Sequence, residues 1–317
     1  MIMSSANRLG AILLVAALAA GACSGSSTPA PQSAAPSVAP ANSAAPSTTA
    51  ASAAPSAASP AANLTGLLAK VKADGKLIVG TSNDAPLSFV DSNTGKASGV
   101  LTDVLVEFLK RQGIDATIDM VAMPFGSLIP AIQSGQIELI GDAMYIRPAR
   151  AQVIDFTMTT FFNPESLDVP KGNPKNLHQL ADLCGKIAGT YLGTTYVDTL
   201  NTASAKCPAG TKIDIRQYPK IENVFADLSA GRLDAAVVDA SLSGYALLQN
   251  TSLNFQIVGD YVPEAKSTSN CAFGIAKGDQ AFLDAFNSTY AQMLADGTAA
   301  TLFTKWGLTP TDFFLKP

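Results

Sequence analysis

Two arginines, Arg147 and Arg150, follow closely on an apolar run, Ile137–Gly141, inside the stretch Phe125–Phe156. The run reads as a buried strand, which places the arginines at a strand's C-terminal end. In open α/β sheets that end is where ligands bind. A guanidinium there offers a planar fork of donors that matches a carboxylate in two-pronged fashion. The same arginines would also serve as surface residues capping a helix. Asp239 closes a second apolar run, Leu233–Val238, and a carboxylate at that place complements a cationic group; it could equally cap the helix that follows. The segment Tyr191-Leu192-Gly193-Thr194-Thr195 leads into a helical pattern. Backbone amides and a hydroxyl at a helix start suit an anion, and threonines there also serve as caps.

These are groups that hold charges; little else points to catalysis. The chain has one histidine, His178, with no nucleophile–base spacing around it. Cys184, Cys207, Cys271 and His178 lack metal-ligand spacing. An acid for catalysis would have to be an isolated carboxylate such as Asp84 or Glu165. The expectation is a binding protein that is not an enzyme and holds no metal or cofactor.

The elements that position these residues alternate. Leu64–Ala73 reads as a helix, Lys76–Gly80 as a strand, and Leu87–Asp91 and Ala97–Gly99 flank a turn. Thr102 is expected to cap a helix over Asp103–Gln112, ended by Gly113. Ala116–Val121 reads as a strand and Ser127–Ser134 as a helix stopped by Gly135. The pattern repeats after residue 165. Helices over Asn176–Leu183, Tyr196–Ala205, Ile221–Ala230 and Ser241–Gln249 interleave with strands over Lys186–Gly189, Lys212–Gln217 and Leu233–Val238. Such alternation argues for mostly parallel sheets covered on both faces.

The residues Phe125, Leu128-Ile129-Pro130-Ala131-Ile132, Ser134-Gly135, Glu138, Ile140, Met144, Ile146, Pro148, Arg150, Val153 and Phe156 resemble a segment of the amino-acid-type solute-binding proteins of ABC importers, family 3. The likeness continues through Gly189–Thr195, Gly231–Asp239 and Phe273–Trp306. It implies a type II periplasmic-binding-protein-like α/β fold, with two lobes and a ligand cleft. Lobe one would comprise residues 63–163 plus 263–317, and lobe two residues 164–262. Phe161–Val169 and Gly259–Ser269 would form a two-strand hinge. The resemblance implies that Arg150 clamps the ligand's α-carboxylate, that Thr195 meets it from the other lobe, and that Asp239 takes the α-ammonium.

Three positions depart from the usual amino-acid binders. Tyr145 stands where Ser or Thr is common, Asp84 stands where an aromatic usually stacks on the ligand, and Phe125 takes the place of Trp or another aromatic. A carboxylate with aromatic faces suits a delocalised or weakly hydrated cation. This set resembles the ectoine/hydroxyectoine-binding branch, except that Leu87 replaces an expected aromatic. The implied function is a receptor for a small zwitterionic amino acid or derivative, delivered to an ABC permease, with an ectoine-type solute as the alternative. Relatives on this fold include cyclohexadienyl dehydratases, and a sensor subunit is a further reading.

Residues 1–22 carry a weakly basic start and the apolar run Leu9–Ala22, too short for a permanent span. The run ends in Ala20-Gly21-Ala22-Cys23, which resembles a lipoprotein cleavage site with Ala20 in place of the usual leucine. Cys23 would be the lipidated N-terminus and anchor the chain outside the cytoplasm. Residues 23–62 then form an uncharged Ala/Ser/Pro tether, expected to be disordered. In an oxidising compartment, Cys184 and Cys207 are the expected disulfide, leaving Cys271 free. With 21 basic against 25 acidic residues, and no basic stripe, no nucleic-acid partner is indicated and a monomer is expected.

Overall fold

The computed structural model describes residues 64–263, 269–309 and 311–316. The leader, Cys23, the tether and the centre of the second hinge crossing lie outside the described residues.

The chain opens with α1 (Gly66–Asp74), β1 (Lys76–Thr81) and a hairpin of β2 (Phe89–Val90) and β3 (Ala97–Ser98). Then come α2 (Val100–Arg111), β4 (Thr117–Ala122), α3 (Leu128–Gln133), β5 (Leu139–Tyr145), α4 (Pro148–Ala151), β6 (Asp155–Phe156) and β7 (Phe161–Phe162). A second run follows: β8 (Glu165–Pro170), β9 (Ile187–Tyr191), α5 (Tyr196–Lys206), β10 (Asp214–Tyr218), α6 (Ile221–Ser229), β11 (Ala235–Asp239), α7 (Ala240–Gln249) and β12 (Phe255–Ile257). The chain returns through β13 (Asn270–Ile275), α8 (Gln280–Ala295), α9 (Thr298–Lys305) and α10 (Thr311–Leu315).

The first sheet has the order β4-β1-β5-β13-β6, with β7 also on β13; the second has the order β10-β9-β11-β8-β12. Both orders share one plan. Three helix-linked strands run parallel, and a strand that connects the two sheets lies beside the third. The expectation of mostly parallel sheets needs correction, because β13 is antiparallel to β5, β6 and β7, and β8 is antiparallel to β11 and β12. Parallel pairing needs a crossover connection, usually a helix. β13 and β8 are the strands joined to the other sheet, and they have no such crossover.

The helices form because their apolar residues share one face. In α2, Val100, Leu101, Val104, Leu105, Phe108 and Leu109 are all buried, and in α6 Ile221, Val224, Phe225 and Leu228 are. Burying a side chain of this size contributes about 1.5–3 kcal/mol. Thr102 is not the cap of α2. The chain turns at Gly99, where φ is 117° and an added Cβ would lie 2.4 Å from the Leu87 carbonyl oxygen. The helix therefore starts at Val100, and Thr102 donates back to the Ser98 carbonyl at 2.9 Å. The helix expected over Asn176–Leu183 is only a 3-10 turn, Leu180–Leu183, because Asp182 accepts the His178 and Gln179 N–H groups in a capping box. Cys184 and Cys207 are joined, and Cys271 is free and buried.

Strand β8 of the second sheet carries a buried acid. Asp168 is wholly buried; Oδ2 accepts from Ser243 Oγ at 2.5 Å and Oδ1 has no hydrogen-bond partner. Burial pushes its pKa up to about 7, against the pull of the Ser243 and Ser166 hydroxyls. The folded state thus holds this proton more tightly than the unfolded chain. No penalty exists below about pH 4; it grows as pH rises and is complete above about 7. Asp168→Asn should therefore stabilise the protein at pH 8 by about 2–4 kcal/mol and change little at pH 4. Urea unfolding at the two pH values checks this, and a variant weaker than the parent at pH 8 contradicts it.

Candidate functional site

β5 and β11 end at the same small space, with the β9–α5 turn facing them. Phe125, Ala143, Tyr145, Arg150, Tyr191, Thr194, Thr195, Tyr196 and Asp239 line a cavity of about 10 Å³, room for roughly one water. Five of the residues singled out by sequence meet there: Phe125, Tyr145, Arg150, Thr195 and Asp239. Asp84 does not line it. It sits buried in the loop after β1, against Ser82.

Arg150 is set by α4, which begins with Pro148, three residues after the end of β5. Its guanidinium donates from Nη1 to the Tyr145 carbonyl and from Nη2 to the Gly193 carbonyl, both at 3.1 Å. One acceptor belongs to the first sheet's side and the other to the second's. Burial, with the nearby Arg147 charge, lowers the Arg150 pKa. Among the described residues no carboxylate pairs with it. The aromatic rings serve these arginines: Arg150 lies over Phe125 at 5.5 Å and Arg147 over Tyr145 at 4.8 Å. Phe125 and Tyr145 were expected to face a ligand cation; here one face of each ring carries a protein guanidinium. Those rings stack on protein guanidinium groups, at distances where cation–π attraction operates.

Asp239 ends β11 and precedes α7, yet its side chain makes no cap bond. Its Oδ1 accepts from Tyr196 Oη at 2.6 Å and from Asn163 Nδ2 at 2.7 Å, and its Oδ2 from Tyr191 Oη. The Tyr145 hydroxyl lies 2.9 Å from that of Tyr196 and donates to the Asn163 carbonyl at 2.5 Å. Burial pushes Asp239 up to about 6, with the tyrosine hydroxyls pulling it back. Asp239 too has no ion-pair partner among the described residues.

Thr195 opens α5 without a side-chain cap bond, and Thr194 donates to the Tyr191 carbonyl at 2.8 Å. The turn between them needs Gly193, with φ 86°. A Cβ on Gly193 would meet the Gly126 Cα at 2.5 Å, so the two lobes touch backbone to backbone here. Asn163, Tyr196, Ser82 and Asp142 are not singled out by the sequence. Tyr191 and Tyr196 flank the turn already singled out. Asn163 lies in the first hinge crossing, and Asp142 reads as one more residue of an apolar strand. His178 takes no part; it faces Asp260, with Nδ1 2.8 Å from Oδ2. Glu165 accepts from the Tyr261 hydroxyl.

Residues 77–309 match the bacterial extracellular solute-binding proteins, family 3. The chain belongs to this family. The L-cystine-binding protein TcyJ of Escherichia coli (strain K12) is 28% identical over 241 residues, 76% of this chain and 86% of that protein. The histidine-binding periplasmic protein of Salmonella typhimurium (strain LT2) is 32% identical over 215 residues, 67% of this chain and 80% of that protein. Among solved structures, an ancestral arginine-binding protein bound to arginine has a TM-score of 0.65 at 29% identity, covering 73% of this chain and 98% of its own. An ancestral amino-acid-binding protein, AncCDT-1, a precursor of cyclohexadienyl dehydratase, has a TM-score of 0.65 at 27% identity, covering 76% and 99%. The fold is thus the type II periplasmic-binding-protein fold, and the chain is an amino-acid-type solute-binding protein. No helix among the described residues is long and apolar enough to cross a membrane.

The glycine contact yields a prediction. Gly193→Ala brings a methyl group against Gly126 in a left-handed backbone, so it should prevent this approach of the lobes. Small-angle scattering should show a larger radius of gyration than the parent's, with an unchanged circular-dichroism spectrum. Identical scattering curves contradict the contact.

Proposed function

We propose that the protein is a non-enzymatic, monomeric receptor that binds a small zwitterionic amino acid between its lobes and delivers it to an ABC permease. One observation carries the reading. A half-buried guanidinium, Arg150, and a buried carboxylate, Asp239, line the same cavity and have no ion-pair partner among the described residues. A buried charge is costly unless paired. A ligand with a carboxylate and an ammonium on neighbouring atoms supplies both partners at once. The α5 start and its Thr195 hydroxyl add donors to the carboxylate end.

Relatives support an amino acid as the ligand. The names of those described above specify cystine, histidine and arginine, and a lysine/arginine/ornithine-binding protein of Escherichia coli (strain K12) is 30% identical over 226 residues. The ectoine-type solute is kept as the alternative ligand, since Phe125 and Tyr145 line the cavity. The cavity of about 10 Å³ is far smaller than an amino acid. Ligand entry therefore requires the lobes to part and the tyrosine hydroxyls to leave Asp239, as in hinge-type closure. In this reading the leader is removed, Cys23 is lipidated and the tether holds the receptor at the outer face of the membrane.

Arg150→Ala should weaken the amino acid ligand by at least ~30-fold, since truncating one partner of a buried charge pair costs about 2–5 kcal/mol. Isothermal titration after a thermal-shift screen of amino acids, ectoines and betaines reads this. A change below threefold removes Arg150 from the role.

A further inference from the structure

Three short oxygen–oxygen contacts run in a row from the Asn163 carbonyl to Asp239. Tyr145 Oη lies 2.5 Å from the Asn163 carbonyl oxygen and 2.9 Å from Tyr196 Oη, and Tyr196 Oη lies 2.6 Å from Asp239 Oδ1. Each contact needs one proton between its two oxygens, and each phenol has one to give. The carbonyl only accepts, so the Tyr145 proton is committed to Asn163. The Tyr196 proton then serves either Tyr145 or Asp239, and one contact is left bare. A proton on Asp239 completes the row. The carboxyl donates to Tyr196, Tyr196 donates to Tyr145, and Tyr145 donates to the carbonyl.

The row spans the parts that move in a hinged closure. Tyr145 ends β5 in the first sheet, and Tyr196 opens α5 beside the second. Asn163 lies in the first crossing, and its N–H donates to the Ser269 carbonyl of the second crossing at 2.9 Å. Tyr145, Tyr196, Asn163 and Asp239 are all buried.

The groups around Asp239 divide between its two protonation states. Burial is the largest cause that favours the acid, and Asp142 on β5 adds to it. Asp84, in the loop after β1, interacts with Asp239 as a like charge, and Glu165 faces it in register from β8. Cys271 on β13 also feels its charge. Tyr191 from β9 and Asn163 Nδ2 donate to the anion and oppose the proton. Arg150, on α4, is the cation at the same cavity and opposes it too. The first turn of α7 carries no acidic residue.

We propose that Tyr145 is a positioning residue that, through Tyr196, holds a proton on Asp239 in acid, and that a ligand's ammonium must displace this proton to bind. The proposal rests on the amino-acid-receptor reading and adds a control by pH to it. The displaced proton goes from the carboxyl to buffer, and the Tyr196 proton turns to the new anion. Asp239 is raised to about 6. Below that pH, binding releases close to one proton and weakens as the pH falls; above it, Asp239 is already an anion and no proton is released.

Carbon-13 NMR of the full chain, labelled in the aspartate carboxyl groups, tests the proton without a ligand. The spectrum of Asp239→Asn identifies the signal. The parent signal should titrate near pH 6, and Tyr145→Phe should lower the midpoint by ~1 pH unit. A parent midpoint at the ordinary aspartate value of ~4, or an unchanged midpoint in Tyr145→Phe, overturns the role of Tyr145. Isothermal titration with L-arginine and L-glutamine at pH 5 and pH 8 then tests the displacement. The parent should bind about tenfold more weakly at pH 5, and in Tyr145→Phe this ratio should shrink to below about threefold. A parent ratio below threefold, with binding still lost in Arg150→Ala, overturns the displacement and leaves the receptor reading standing. Binding that ignores Arg150, or no amino acid bound at either pH, overturns both.

Discussion

Arg150, half-buried, and Asp239, buried, are opposite charges that face one cavity and are held by neutral groups. Arg150 rests on two carbonyl oxygens and Asp239 on two phenols and an amide. Hydrogen bonds from neutral donors recover part of the desolvation cost of a charge, and an opposite charge recovers more. This imbalance constrains the rest of the site. It explains why aromatic rings lie under the arginines and why three tyrosine hydroxyls and Asn163 form one network around Asp239. Polar networks of this kind are tolerable when buried only because nearly every member is satisfied, and Asn163 Oδ1 is the member that is not.

The sheets deliver these groups by position. β5 and β11 are each the third strand of their sheet's parallel set, and Arg150 and Asp239 follow directly at or after their C-terminal ends. The crossing strands β8 and β13 lie next to them, which brings Asn163 and Cys271 alongside; Cys271 pairs in register with Tyr145. The lobes meet at Gly126 and Gly193 because neither has a side chain to hold them apart. In the proposed function, the lobes would part at this backbone contact to admit a ligand.

Much of this was legible in the sequence, for identifiable reasons. Asp239 ends a strongly apolar run and Arg150 follows β5 by five residues, so their place beyond the strands' C-terminal ends follows from hydrophobic patterning. Gly193 and the threonines mark a turn before a helix. The tyrosines were harder, since Tyr191 and Tyr196 read as ordinary core residues until the fold turns their hydroxyls toward Asp239. Asp142 was illegible: a lone acid within Leu139–Tyr145 gives no sign of a partner, which comes from Ser82 in the neighbouring strand's loop. The direction of β13 and β8 was also hidden, because strand propensity does not encode which sheet a strand has just left. The stacking of Arg147 on Tyr145 depends on rotamers that spacing alone does not specify.

In the proposed function, one ligand brings both charges. The direct measurement is a calorimetric comparison of an amino acid that binds with the amine left after its carboxylate is removed, and with the acid left after its α-ammonium is removed. Each truncated compound leaves one buried protein charge unpaired, so each should bind at least ~30-fold more weakly than the intact amino acid. An amine or an acid that binds as tightly as the amino acid would show that Arg150 and Asp239 do not act as a pair.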